Sequence, residues 1–164
     1  MNKNTIFPAH GDCGLINRII PQIEHEHFVE KALKHKTYTI DNDDLATFYR
    51  IADGTMSPLQ GPMDEAEFHQ VLEKETIERN GKQYAWTIPI AFPIHKEDKK
   101  NFKKGETVAV KNEHGIIVGL LEITDIYHFD KKKYNRSIYG TDRTDHPGPR
   151  IVNDDKRDYL LGGK

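Results

Sequence analysis

The chain has 164 residues, of which 36% are apolar and 30% are charged, and its formal net charge is −2. This length predicts a single domain, and this composition excludes a disordered chain. No run of 18 consecutive apolar residues occurs, which argues against a membrane span, and the near-neutral charge argues against a general attraction to nucleic acid or membrane surfaces.

Two features of the sequence favour the cytoplasm. The first residues, MNKNTIFPAHG, contain no apolar core followed by a cleavage site of small residues, so they do not resemble a secretion signal. Cys13 is the only cysteine, so the chain can form neither an internal disulfide nor a thiolate metal cluster. We therefore predict a cytoplasmic protein.

The first half of the chain predicts three helices. Apolar residues at i, i+4 spacing predict a helix over residues 23–33. A second helix is predicted in IDNDDLATFYRIADG, where Asp41 or Asn42 can cap the start and the final glycine ends it. After the turn MSPLQGPM, Asp64 and Glu67 form a D-x-x-E start, close to a capping box, for a third helix.

The second half predicts mostly strands. The turn signal Asn80–Gly81 precedes YAWTIPIAFPI, which is rich in aromatic and β-branched residues but confined by its two prolines to an edge, a bulge or two short strands. TVAVK and IIVGLLEITDI flank the turn NEHG and predict a hairpin, and Asp130 can cap a short helix that carries Tyr134 and Ile138. Helices followed by mostly antiparallel strands indicate an α+β fold with a small barrel or curled sheet.

Histidines and the single cysteine are the first candidates for chemistry. His25 and His27 would point to different sides of a helix and could chelate a metal only on a strand, so the helical pattern favours a solvated charged face. His10 lies three residues before Cys13, which makes a Cys–His pair conceivable, although a buried or merely tolerated cysteine is the simpler interpretation. We predict no metal site.

Anion-binding and catalytic motifs are the second set of candidates. The basic stretches HKEDKKNFKKG and DKKKYNR could contact phosphates, but interleaved acidic residues favour solvated loops. The phosphate-binding patterns G-x-x-x-x-G-K-[ST] and G-x-G-x-x-G and the G-x-S-x-G elbow do not occur. The stretch YGTDRTDHPGP, residues 139–149, has the composition of a catalytic loop and equally of a tight connector.

Several stretches, taken in order, resemble the sulfate adenylyltransferase (ATP sulfurylase) family. AHGDCGLINR is similar to the family's P-H-G-G-x-L-V-N-R, GTMSPLQGPM to G-x-x-S-P-L-x-G-F-M, and WTIPI to the same five residues. DKKKYNRSIYGTDRTDHPGP is similar to D-K…Y-G-T-x-D-x-x-H-P-G-V, and KGETVAV, GLLEITDIY and the boundary motif YLLGG also follow the family order. Pro62 and Pro149 depart from the family's Phe and Val, and HGDCGL is about one residue longer than H-G-G-x-L.

The resemblance covers nearly the whole chain but only the family's N-terminal region. It implies one PUA-like domain over residues 1–164, of class α+β, with a small β-barrel and several flanking helices. In the family, a sulfate oxygen attacks the α-phosphorus of ATP, which gives adenylyl sulfate and pyrophosphate. The Q-x-R-N and H-x-x-H motifs that carry this reaction belong to a later nucleotidyltransferase domain and do not occur here; the chain stops at Lys164, about where that domain would begin.

The resemblance therefore implies a chain without catalytic residues, inactive alone, for which ATP and magnesium are expected only with a catalytic domain. That domain is the expected partner, in cis or in trans, and a homo-oligomer stays open. One alternative is a free-standing PUA-like module with an RNA-binding or regulatory role. Another is a sensor that binds a nucleotide or sulfate. Structural or interdomain roles are expected for the residues of the matching motifs, namely His10, Gly11, Asn17, Arg18, Ser57, Pro58, Leu59, Gly61, Tyr139, Gly140, His146, Pro147 and Gly148.

Within those motifs, two further expectations concern single residues. Arg18, Arg136, Arg143 and His146 are the best candidates for contact with an anion, although they lie in different segments. The glycines and prolines of residues 139–149 are expected to fix an irregular turn. Asp142 and Asp145 are expected to cap this turn rather than to act as acid or base groups.

Overall fold

The computed structural model describes residues 10–164. Its helices are α1 (His25–Ala32), α2 (Asn42–Ala52), α3 (Glu65–Lys74), α4 (Lys131–Tyr139) and α5 (Pro147–Asp154). Its strands are β1 (Thr37–Thr39), β2 (Thr76–Arg79), β3 (Lys82–Ala85), β4 (Phe92–Ile94), β5 (Thr107–Lys111), β6 (Ile117–His128) and β7 (Tyr159–Gly163). Across these residues no helix has the length and apolar character needed to cross a bilayer.

The helix starts follow from side-chain caps. Asp41, Asp64 and Asp130 each precede a helix, and the carboxylate of each accepts a hydrogen bond from the backbone N–H three residues later, at 2.8, 2.9 and 3.0 Å. These bonds satisfy N–H groups that the first turn of a helix leaves without a partner. The predicted starts of α2, α3 and α4 are confirmed.

Five strands form one sheet in the order β1-β5-β6-β7-β4. The predicted hairpin is confirmed as β5 and β6, in which Val108 lies opposite Leu121. Strand β1 pairs with β5 in parallel, and the other pairs are antiparallel. The sheet is open rather than closed into the expected small barrel, because β1 and β4 lie at its two edges, and the predicted α+β class is confirmed.

A second, two-stranded sheet consists of β2 and β3. The connecting residues Asn80 and Gly81 have φ of 53° and 73°, the left-handed values that the tightest hairpin turns require. The turn at Asn80–Gly81 is therefore confirmed, whereas β2 itself was not predicted.

One prediction near the C-terminus is wrong. The stretch from Pro147 onward is helix α5 rather than an irregular turn, because His146 caps it and proline fits the first turn of a helix, where its missing N–H costs nothing. The boundary motif YLLGG forms strand β7, which lies in the interior of the sheet between β6 and β4.

Apolar side chains pack in two clusters. One lies between α2 and the sheet and includes Ile51, Val108 and Leu161. The other lies around α3 and includes Phe68 and Leu160. Neighbouring residues of β7 thus face different clusters, as alternate residues of a strand must, and β7 is buried on both faces.

Candidate functional site

The segment between α2 and α3 is tied to the N-terminal motif through Ser57. The Ser57 hydroxyl accepts a hydrogen bond from the Ile16 N–H at 2.9 Å and donates one to the carbonyl oxygen of Gly54 at 2.6 Å, and the side chain is buried. Gly11 has a φ of +88° and lies so close to Pro58 that a Cβ there would be 2.8 Å from the proline ring. The structure therefore joins two of the motifs that carry the family resemblance.

Arg18 and Asn17 continue this junction. The Arg18 N–H donates to the carbonyl oxygen of Ala52, the last residue of α2, at 2.7 Å, and its guanidinium donates to the carbonyl oxygen of Gln60. The Asn17 side chain accepts from the Ile19 N–H at 2.9 Å. The two Arg18 contacts bind the N-terminal segment to the end of α2 and to the residue 53–63 loop, and the Asn17 contact lies within the segment.

Leu59 and Gly61 connect the same loop to the second apolar cluster and to β7. Leu59 is almost completely buried. A Cβ on Gly61 would overlap the carbonyl oxygen of Gly163, and the Gly163 N–H donates to the carbonyl oxygen of Pro62 at 2.8 Å. Glycine is required at position 61 because two backbone segments meet there.

His10 lies on the β3 side of the junction. Its Nε2 is 2.8 Å from the carbonyl oxygen of Ala85, and its ring centroid is 5.7 Å from that of Tyr84 and 6.2 Å from that of Trp86. The Cys13 sulfur donates to the backbone oxygen of His10 rather than to its imidazole. The conceivable Cys–His pair is therefore not formed.

The remaining predicted residues form a separate group at α4 and α5. The ring of Tyr139 lies against Gly148, where a Cβ would be 2.5 Å from a ring carbon. The His146 Nδ1 accepts a hydrogen bond from the Gly148 N–H at 3.1 Å, and Pro147 is the first residue of α5. Gly140 ends α4 with a φ of +68°. This group brings the end of α4 into contact with the start of α5.

The candidate anion-binding residues of this region are occupied by their own neighbours. Arg136 pairs with Asp142 at 2.9 Å, and Arg143 pairs with Asp145 at 2.6 Å. The hydrogen bond from Arg136 lowers the pKa of Asp142. Together with Arg18, whose guanidinium bonds to a backbone oxygen, these cations do not converge on one point as transfer of a phosphoryl or adenylyl group requires.

Sequence reasoning missed an ion cluster around Arg157. The Arg157 guanidinium lies 2.6 Å from Asp41, 3.2 Å from Asp44 and 2.6 Å from Asp155. Burial, and next to it the charge of Asp41, raises the pKa of Asp44 to about 7. Asp44 and Arg157 lie 113 residues apart in the sequence. No local sequence pattern could therefore reveal the cluster. It ties the start of α2 to the connection before β7.

Sequence reasoning also missed Asp12, which lies beside His10. Its carboxylate accepts hydrogen bonds from the Tyr84 hydroxyl at 2.9 Å and from the Lys82 amine at 3.1 Å. The Tyr84 bond, followed by that of Lys82, lowers the pKa of Asp12. Asp12 therefore fastens the N-terminal motif to the β2–β3 hairpin as an acceptor.

A cavity with a volume of about 570 Å³ lies between residues 18–20, α1, α2 and β6. Its walls are mostly apolar and include Phe28 and Phe48, with Arg18 and His25 among its few polar side chains. His25 and His27 are both on α1, as predicted. Over residues 10–164, no group of three His, Cys, Asp or Glu side chains is placed to hold a metal ion.

A model of the PUA-like domain family matches residues 7–164. The chain is 40% identical over 159 residues to the sulfate adenylyltransferase of Pyropia yezoensis, which covers 96% of this chain and 36% of that protein. It is 33% identical over 148 residues to the sulfate adenylyltransferase of Trichodesmium erythraeum, with 90% and 37% covered. The enzyme of Ignicoccus hospitalis is 32% identical over 149 residues, with 91% and 38% covered.

The chain thus spans less than two fifths of the length of these curated relatives. Among solved structures, it resembles the hexameric APS kinase from Thiobacillus denitrificans with a TM-score of 0.67 and 20% sequence identity. That match covers 95% of this chain and 26% of the other. At this identity the likeness concerns the fold alone, and it agrees with the family match.

Proposed function

Because the chain belongs to the PUA-like domain family, we propose that it is the N-terminal, non-catalytic domain of a sulfate adenylyltransferase, which supports the catalytic domain. The observation that carries the proposal is the 40% identity to one such enzyme over 96% of this chain but only 36% of the relative. Synthesis of adenylyl sulfate from ATP and sulfate would belong to the remainder of the enzyme. On this proposal residues 1–164 form one domain, in the cytoplasm.

The contacts of the matching motifs support a structural role. The Ser57 hydroxyl both accepts and donates a hydrogen bond within this chain. Gly11 and Gly61 lack a side chain where other parts of the same chain approach closely. His146 likewise uses its Nδ1 to cap α5. Contacts of this kind fix the shape of a domain.

The arrangement of cations supports a partner that holds the nucleotide. Three phosphates and a sulfate require several converging positive groups, normally with magnesium. Arg136 and Arg143 are each paired with a nearby aspartate. We therefore propose that ATP and magnesium bind in the catalytic domain, in cis or in trans.

A chimera tests this proposal. This chain would replace the matching region of the Pyropia yezoensis enzyme, to which it is 40% identical, and pyrophosphate release from ATP would be measured with and without sulfate. We expect sulfate-dependent release by the chimera. A folded chimera that releases none would contradict the proposal, and retardation of structured RNA by the chain at physiological salt would favour the RNA-binding alternative instead.

A further inference from the structure

We propose that the cavity of about 570 Å³ between α1, α2 and β6 is where the catalytic domain docks on this chain, through an apolar segment that carries a carboxylate. This inference rests on the proposed function and identifies the surface through which the two domains would make contact. The cavity is defined by its rim residues Ile19, Val29 and Tyr49 and its inner residues Phe28 and Phe48.

The rim exposes large apolar side chains. Ile19 is 61% exposed, Tyr49 is 47% exposed and Val29 is 39% exposed, and all three line the same cavity. Single exposed apolar residues are common, but a contiguous group around an apolar hollow is typical of an interaction surface. Covering this rim would remove apolar area from water without any change in the fold of the chain.

The charge of the cavity indicates the chemistry of its occupant. Arg18, His25 and Lys164 line it, and no aspartate or glutamate of residues 10–164 does, although the chain contains 26 acidic residues. Arg18 gives one donor to the Gln60 carbonyl, and a guanidinium has five, so further donors remain for a carboxylate. An acidic group beside apolar side chains therefore complements the cavity.

The relatives indicate which molecule carries that segment. This chain spans 36 to 38% of the sulfate adenylyltransferases to which it is similar, so most of each relative lies outside the region matched. A segment in the same polypeptide is held at a high effective concentration, and a modest surface of this kind is then sufficient for docking. Gln60 and Gly61 of the SPLQG motif also line the cavity, which places it beside a motif of the resemblance.

Thiol labelling in the chimera tests the docking site. In a Cys13→Ser background, Val29→Cys and Tyr49→Cys would report on the rim, and Ile151→Cys, on α5 at a position 70% exposed, would serve as the matched control. Maleimide labelling of each site would be followed by mass spectrometry in the chain alone and in the chimera. We expect the two rim thiols to react about tenfold more slowly in the chimera, and the control to react equally in both.

The outcomes separate this inference from the proposed function. An active chimera whose rim thiols react as fast as in the chain alone would overturn the docking site and leave the function standing. An inactive, folded chimera would overturn the function. Protection of the rim in the chain alone, rising with concentration, would assign the cavity to a second copy and overturn the inference.

A second measurement covers a chimera that does not fold. Overlapping peptides from the remainder of the Pyropia yezoensis enzyme would be probed with the intact chain and with its Tyr49→Asp variant, Ile151→Asp being the control. Binding of acidic, apolar peptides that Tyr49→Asp abolishes and Ile151→Asp preserves would support the inference. No binding, or binding equally affected by both variants, would overturn it.

Discussion

Replacement of Asp44 by asparagine should flatten the pH dependence of stability. The Asp44 side chain is three-quarters buried, and Arg157 is shared with Asp41 and Asp155. Burial and the negative charge of Asp41 raise the pKa of Asp44 by more than the attraction of Arg157 lowers it. Its pKa rises from 3.8 to about 7 on folding. A raised pKa means that the folded state binds the proton more tightly, so this stabilisation is complete below pH 3.8 and is lost as the pH rises through 7.

The size of the effect follows from that shift. One unit of pKa corresponds to about 1.4 kcal/mol, so a rise from 3.8 to about 7 makes the wild type lose roughly 3 kcal/mol of unfolding free energy between pH 5 and pH 8 through Asp44 alone. The Asp44→Asn variant cannot lose a proton there, and its amide can donate to Asp41 as the protonated acid does. The difference between the two proteins should therefore grow by about that amount.

Urea unfolding followed by the fluorescence of Trp86, the single tryptophan, measures this difference at several pH values. Groups that titrate equally in both proteins cancel in the comparison. Asp43, the exposed neighbour of Asp44, provides the control Asp43→Asn. The unfolding free energy of this variant should change with pH in parallel with that of the wild type. Parallel curves for Asp44→Asn and the wild type from pH 5 to pH 8 would refute the reasoning.

Three further substitutions test the junction and the α5 cap. Gly61→Ala should cost about 1–3 kcal/mol or more in urea unfolding, since its Cβ would overlap Gly163, whereas Gly14→Ala meets open space and should be tolerated. Ser57→Ala leaves the Ile16 N–H without its acceptor and should cost about 1–3 kcal/mol; unchanged stability would contradict this role. His146→Ala should lower stability by about 0.5–2 kcal/mol while the activity per folded chimera is kept; lost turnover at full stability would place His146 in the active site.

The elements that could be predicted from the sequence are those that local chemistry determines. Asp41, Asp64 and Asp130 cap the helices that follow them, and the hairpin of β5 and β6 closes through a short turn of its own. In each case the sequence signal and the structure that it causes lie within a few residues. Such signals do not depend on the rest of the chain.

The missed elements depend on distant partners. The missing side chain of Gly162 allows β7 to lie against the backbone of Met63 and Asp64, and that of Gly163 allows it to lie against the backbone of Glu122. Strand β1 has three residues and exists through parallel pairing with β5. The Arg157 cluster likewise joins segments that no spacing rule connects.

The residues of the matching motifs lie in two separate groups in the structure. His10, Gly11, Asn17, Arg18, Ser57, Pro58, Leu59 and Gly61 lie at the junction of the N-terminal segment with the residue 53–63 loop and strands β3 and β7. The residues from Tyr139 to Gly148 lie at α4 and α5. The order of motifs along the chain contains no information about this division.

The most direct test of the central claim is an assay of the chain by itself. The intact chain would be incubated with ATP, magnesium and sulfate in the presence of pyrophosphatase, and phosphate release would be followed with and without sulfate, with the Pyropia yezoensis enzyme as the positive control. We predict no sulfate-dependent release by the chain alone. Steady release that requires sulfate would contradict a non-catalytic domain.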